Sequence, residues 1–179
     1  MRRNASSLLL LAVCVATVQA QTTSPGNEMK KLNLLVGRWT FEGENKPSPL
    51  GDGAKYAGVY TAKMILGGLA LEEQDTVKKA RVEPQHLAIE AYDSVNRTFL
   101  SNWYGSDGTV FSATVTVDGN TITWAGHVNV DGKQYQIRDV FTLAADLQSA
   151  KATGDVSIDG KTWTPLLEAR YVKVKPPGK

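Results

Sequence analysis

The sequence has almost no cysteine: the only one among 179 residues is Cys14. It lies in a segment expected to be removed on export. The remaining chain can then form neither a disulfide framework nor a Cys-based metal site, and it offers no thiol nucleophile. An excess of one charge is also missing. Arg2 and Arg3 fall in the same leading segment, and the 159 residues after position 20 carry 18 basic and 18 acidic side chains. A balance near zero gives no long-range attraction to phosphate backbones or anionic lipid, so nucleic-acid and membrane-surface binding lose their electrostatic basis. No apolar run approaches the ~20 residues that a helix needs to cross a bilayer. Histidine is limited to His86 and His127. There is no H-E-x-x-H pair, no G-x-S-x-G elbow and no phosphate-cradling glycine loop.

What is present at the start reads as a secretory signal over residues 1–20. Arg2 and Arg3 form a positive n-region, Leu8 to Val15 an apolar stretch, and Val18-Gln19-Ala20 a small-residue cleavage site. The expected organisation is that signal, a linker at 21–26, one domain over 27–175 and a tail at 176–179. The destination is the periplasm or the exterior.

Asn27 is placed to cap a short helix whose Leu32, Leu35 and Val36 share a side, and Gly37 ends it. From there to Val174 the apolar pattern has period two and is rich in Thr, Val, Tyr and Trp, the mark of β-strands. Asp-Gly pairs at 107–108, 118–119, 131–132 and 159–160 lie between alternating runs, and Ala145-Asp146 supplies a further turn. Such pairs predict tight hairpins, because glycine takes the positive φ that these turns require. Ten strands follow, at Arg38–Glu44, Lys55–Leu66, Leu69–Val77, His86–Asp93, Thr98–Tyr104, Val110–Val117, Thr121–Val130, Lys133–Leu143, Ala150–Ile158 and Thr162–Val174. Ten antiparallel strands with no crossover helices either close on themselves or leave long unpaired edges. The expected fold is all-β, an antiparallel closed barrel with a short N-terminal helix. A two-sheet sandwich is the alternative, but the short turns leave little chain for Greek-key crossings.

Several short sequences sharpen this. Leu35-Val36-Gly37-Arg38-Trp39 places a G-x-W after a short helix at the opening of the first strand, and is similar to the calycin superfamily of lipocalins and fatty-acid-binding proteins. Leu66-Gly67-Gly68, Ala91-Tyr92-Asp93, Trp103, Arg138-Asp139-Val140-Phe141, Asp159-Gly160-Lys161 and Glu168-Ala169-Arg170 add to it. Together they resemble the bacterial DUF1579 family of calycin-like proteins over roughly Met29 to Val174. The resemblance implies a barrel with a ligand cavity and brings no catalytic residues. The opening is also similar to that of the nitrobindins, which are haem-binding barrels. That likeness implies an axial histidine near the C-terminus, where this chain has none, so haem is a minor alternative and no cofactor is expected.

Candidate site residues follow from the barrel. Trp39 and Arg170, on the first and last strands, are expected to stack and seal one end, a structural role. On the strand 133–143, Tyr135, Ile137, Asp139, Phe141 and Leu143 share one face; Gln134, Gln136, Arg138, Val140 and Thr142 share the other. If the polar face points inward, Arg138 can hold a ligand carboxylate; if outward, it is a solvated strand residue. Tyr92, Trp103, Trp124 and Tyr135 supply rings for a cavity wall or for a filled core. The titratable inventory of His86, His127, Glu90, Asp93, Asp139 and Glu168 has no diagnostic spacing: His86 and Glu90 share a strand face about 13 Å apart. Asp93 is read as capping a turn with Asn96. No metal site is expected. The expected activity is therefore sequestration of a small apolar or amphipathic molecule, such as a lipid-like acid, by a monomer or weak dimer. Arg138 or Tyr92 would fix the ligand's orientation. The alternatives are an isomerase- or hydrolase-like enzyme, to be recognised by an inward carboxylate or histidine beside another titratable group, and an interaction module with a filled core.

Overall fold

The computed structural model describes residues 25–78 and 84–175. The expected signal, most of the linker and the tail lie outside the described residues. A one-turn helix α1 (Pro25–Met29) runs into a 3-10 turn (Lys30–Leu34). Ten strands follow: β1 Gly37–Asn45, β2 Ala54–Ile65, β3 Ala70–Lys78, β4 Gln85–Asp93, β5 Thr98–Gly105, β6 Val110–Asp118, β7 Thr121–Val130, β8 Lys133–Leu143, β9 Ser149–Ser157 and β10 Thr164–Lys173. Each pairs antiparallel with its sequence neighbours, and β1 pairs with β10, so the sheet is a closed up-and-down barrel. Closure runs from Trp39 opposite Lys173 to Asn45 opposite Leu167. No edge strand is left among the described elements.

The turn chemistry explains the meander. Asp131 and Gly132 both take positive φ, 50° and 73°, and directly join the paired residues Val130 and Lys133. That is the two-residue hairpin whose twist matches its strands. Asp93 accepts hydrogen bonds from the amides of Val95 and Asn96 and from the Asn96 side chain, as expected. The Asp159 turn is longer than the Asp-Gly pair suggests. Its Oδ1 also accepts from the amides of Lys161 and Thr162, which delays β10 to Thr164 and holds the carboxyl down to about 2. One helix expectation is corrected: α1 begins at Pro25, whose fixed φ suits a first turn. Asn27 therefore sits inside the helix, and its Oδ1 accepts from Lys30 Nζ at 3.0 Å.

The barrel has unlike ends. At one, the N-terminal segment lays Met29, Leu32 and Leu35 against the inward residues Trp39, Leu71, Phe99, Val115 and Ile122, all buried. Burying each large apolar side chain contributes ~1.5–3 kcal/mol, which holds the plug in place. The Trp39 indole donates to the Leu35 carbonyl at 2.9 Å and ties plug to wall. At the other end a smaller group, Val128, Tyr135, Ile137 and Val156, packs with Leu50 from the β1–β2 loop. The outer face is polar, with exposed Gln74, Gln136, Arg138, Lys151 and Arg170.

Arg170 does not stack on Trp39. It points outward opposite Glu42, because the inward positions of β10 are Ala169, Tyr171 and Lys173. Lys173 takes the expected role, its Nζ 4.9 Å from the centre of the Trp39 ring. A cation over an indole stabilises by ~0.5–1 kcal/mol at a partly exposed site. Lys173→Ala should therefore lower the melting temperature by ~1–4 °C, and Arg170→Ala by less, in a thermal scan followed by circular dichroism.

Candidate functional site

Between plug and mouth the inward positions are small: Ala88 on β4, Ser101 on β5, Ala113 on β6, Gly126 on β7, and Ala152 and Gly154 on β9. On β5, β6 and β7 the neighbours on the same face are larger: Phe99 and Trp103, Phe111 and Val115, Trp124 and Val128. The wall thus stands apart at mid-height, and the barrel encloses a cavity of about 370 Å³. Its lining combines rings, including Tyr60, Trp103, Trp124 and Tyr171, with the carboxylates Glu73, Asp75 and Asp139. Tyr171 is the hub of the aromatic wall, its ring centre 5.0 Å from Phe141, 5.1 Å from Phe41 and 6.2 Å from Tyr60. A wider hollow of about 870 Å³ lies over β1, β2 and β10, but it is walled mostly by charged outer-face side chains such as Lys55, Lys151 and Glu168. Lys151 pairs with Glu168 there at 3.1 Å, an exposed contact with no buried chemistry.

Glu73 accepts a hydrogen bond from the Tyr60 hydroxyl at 2.7 Å. Burial, and then the neighbouring Glu90 charge, push the Glu73 carboxyl well above the usual range, against the lowering effect of that bond. Burial raises the Tyr60 hydroxyl, with Glu73 adding to it. Glu90 is completely buried and accepts from the Trp124 indole. Burial pushes it up to about 7, against the pull of Trp124 and Ser101, and its Oε2 has no partner of hydrogen-bond geometry among the described residues. Asp139 is likewise pushed up to about 7, by burial and by Asp155. Its Oδ1 also lacks a partner and rests on the bare Cα of Gly154, where a methyl group would collide with it. Nearer the mouth, Asp75 lies opposite His86, with 2.5 Å between Oδ1 and Nδ1. The imidazole stacks on Trp103 with 4.2 Å between ring centres.

These placements sort the sequence candidates. Trp103 and Trp124 line the cavity. Tyr92 packs on Phe99 in the core of the plugged end, and Tyr135 is buried in the mouth cluster, so neither is among the lining residues. Arg138 is on the outer face, bonded to Asp155 at 2.8 Å and lying over Trp163 at 4.7 Å. It cannot orient a ligand inside: the face that turns inward on β8 is the one holding Tyr135, Ile137 and Asp139. His127 is exposed on the outer face. Sequence reasoning missed Tyr60, Glu73, Asp75 and Tyr171. The available signal was parity, since a carboxylate on an otherwise apolar strand face, such as Asp139 or Glu90, must enter the barrel.

The family model described as "Protein of unknown function (DUF1579)" matches residues 24–173. Comparison with curated proteins finds no match. Among solved structures, the chain is similar to that described as "Crystal Structure of Rv2717c from M. tuberculosis", with a TM-score of 0.61 and 13% identity over 85% of this chain and 99% of that one. At this identity the likeness shows the fold.

The raised carboxyls set a pH dependence. Glu90 and Asp139 hold protons in the folded state that they release in the unfolded state above pH ~4. Their contribution is complete below the unfolded values and is lost as pH rises through about 7. Urea midpoints should therefore fall between pH 5 and pH 8.5, and Glu90→Gln, which keeps an acceptor for Trp124, should flatten that slope.

Proposed function

The chain belongs to the DUF1579 family, and we propose that it is an exported barrel that sequesters one small, largely apolar molecule in its interior, as a monomer or weak dimer. The observation that carries this reading is the 370 Å³ aromatic-walled cavity at mid-barrel. It falls in the size range of small-molecule pockets, which pair apolar walls with a few convergent polar groups. Apolar burial would supply affinity at ~25 cal/mol per Å² before the costs of association. The signal-like pattern at residues 1–20 supports export. The closed ring, which leaves no open strand edge among the described residues, supports the monomer.

The ligand is not a lipid-like acid in this reading. Arg138 faces outward, and the cavity's charged lining is acidic. A second reading, an acid–base enzyme in the same cavity, draws on the inward His86–Asp75 pair. An imidazole oriented by a carboxylate and a ring is a suitable proton acceptor.

Filling the cavity tests sequestration. Ala152 lines it opposite Phe141, and Ala152→Phe puts a ring into the void. That variant should keep its near-ultraviolet circular dichroism and lose at least about tenfold in affinity for any small molecule that native mass spectrometry finds retained from the host. Unchanged affinity would place the guest elsewhere.

A further inference from the structure

We propose that the guest of this cavity is a small organic cation, an aryl or alkyl ammonium, held by Asp139 and Glu73 among the faces of Trp103, Trp124 and Tyr171. This rests on the sequestration reading above and assigns its ligand class.

Three observations converge on it. First, among the described residues the charged members of the lining are Glu73, Asp75 and Asp139, with no lysine or arginine. Asp75 Oδ1 is engaged with His86 and Glu73 Oε1 with the Tyr60 hydroxyl, which leaves Asp139 and the second oxygen of Glu73 to meet a ligand. Second, an acid of the lining is under-satisfied. Asp139 lines the cavity, and its Oδ1 has no hydrogen-bond partner among the described residues in its niche on Gly154. A buried carboxyl oxygen without a partner is costly, so the site is completed by a group that brings N–H donors, and by positive charge if the acids are ionised. An ammonium supplies both, through short charge-assisted bonds. Third, the rest of the wall suits the same ligand. The negative faces of indole and phenol rings attract a cation, and more so when it is desolvated. A carboxylate guest would meet three acids and, among the described lining residues, no lysine or arginine.

The test uses the whole protein at pH 8, above the value of about 7 to which Asp139 and Glu90 are pushed. Three probes of nearly equal shape, phenethylamine, 2-phenylethanol and phenylacetate, are titrated while tryptophan emission is followed. The expected result is binding of the amine at least about tenfold tighter than the alcohol, with phenylacetate weakest. Asp139→Asn and Glu73→Gln should each reduce the preference for the amine while leaving affinity for the alcohol within about twofold, so the alcohol reports that the cavity is intact. Alcohol or acid binding as tightly as the amine would overturn the cationic assignment and leave sequestration standing. Amine affinity unchanged in both variants would overturn the assigned residues. Failure of all three probes to bind would count against the cavity reading itself.

Discussion

The structure depends on the pairing of β1 with β10. Seven residue pairs, from Trp39 with Lys173 to Asn45 with Leu167, turn an open meander into a ring. Everything inside that ring is then defined by strand parity, because each inward position faces other inward positions across the barrel. Closure places Lys173 over Trp39, and Trp39 in turn holds the carbonyl of Leu35. The N-terminal segment is thereby fixed as a floor. Without closure, Met29, Leu32 and Leu35 would have no ring of apolar residues to fill.

A closed ring of ten strands has more interior than its side chains occupy. At the floor, tryptophan, phenylalanine and leucine meet; at mid-height inward positions of β4, β5, β6, β7 and β9 are alanine, serine and glycine. The small residues on those strands make room for the cavity. Into this space the chain directs Glu73 and Asp139, with Glu90 buried close by, each raised mainly by burial. A protein under selection for stability alone gains little from such groups, since an apolar side chain in the same place would cost less. In the sequestration we propose, the inward acids serve the ligand, with stability given up at neutral pH for a site that is ready to receive one.

Much of the fold was legible from the chain. The Asp-Gly pairs and period-two pattern placed all ten strands to within about two residues, because hairpin turns and strand alternation are local. The helix start was misread because Asn27 offers a cap that Pro25 forestalls. Less of the site was legible. Trp103 and Trp124 were placed in the wall by ring content, and both line it, but Tyr92 and Tyr135 have the same composition and sit in the floor and the mouth. Arg138 had an inner role only if the polar face of its strand turned inward, and β8 turns its apolar face inward. The contacts that matter, Glu73 with Tyr60 and His86 with Asp75, join different strands through register, which spacing along one chain segment does not reveal.

The central claim is that a guest enters the ring and lies against its acids and indoles. A crystal of the protein soaked with a brominated phenylethylamine tests it directly, through the anomalous signal of the bromine. The account predicts a bromine peak inside the barrel, within contact distance of Trp103 or Trp124, with the amine directed toward Asp139 or Glu73. A peak confined to the outer face over β1, β2 and β10, with an interior filled by the protein's own side chains, would contradict it.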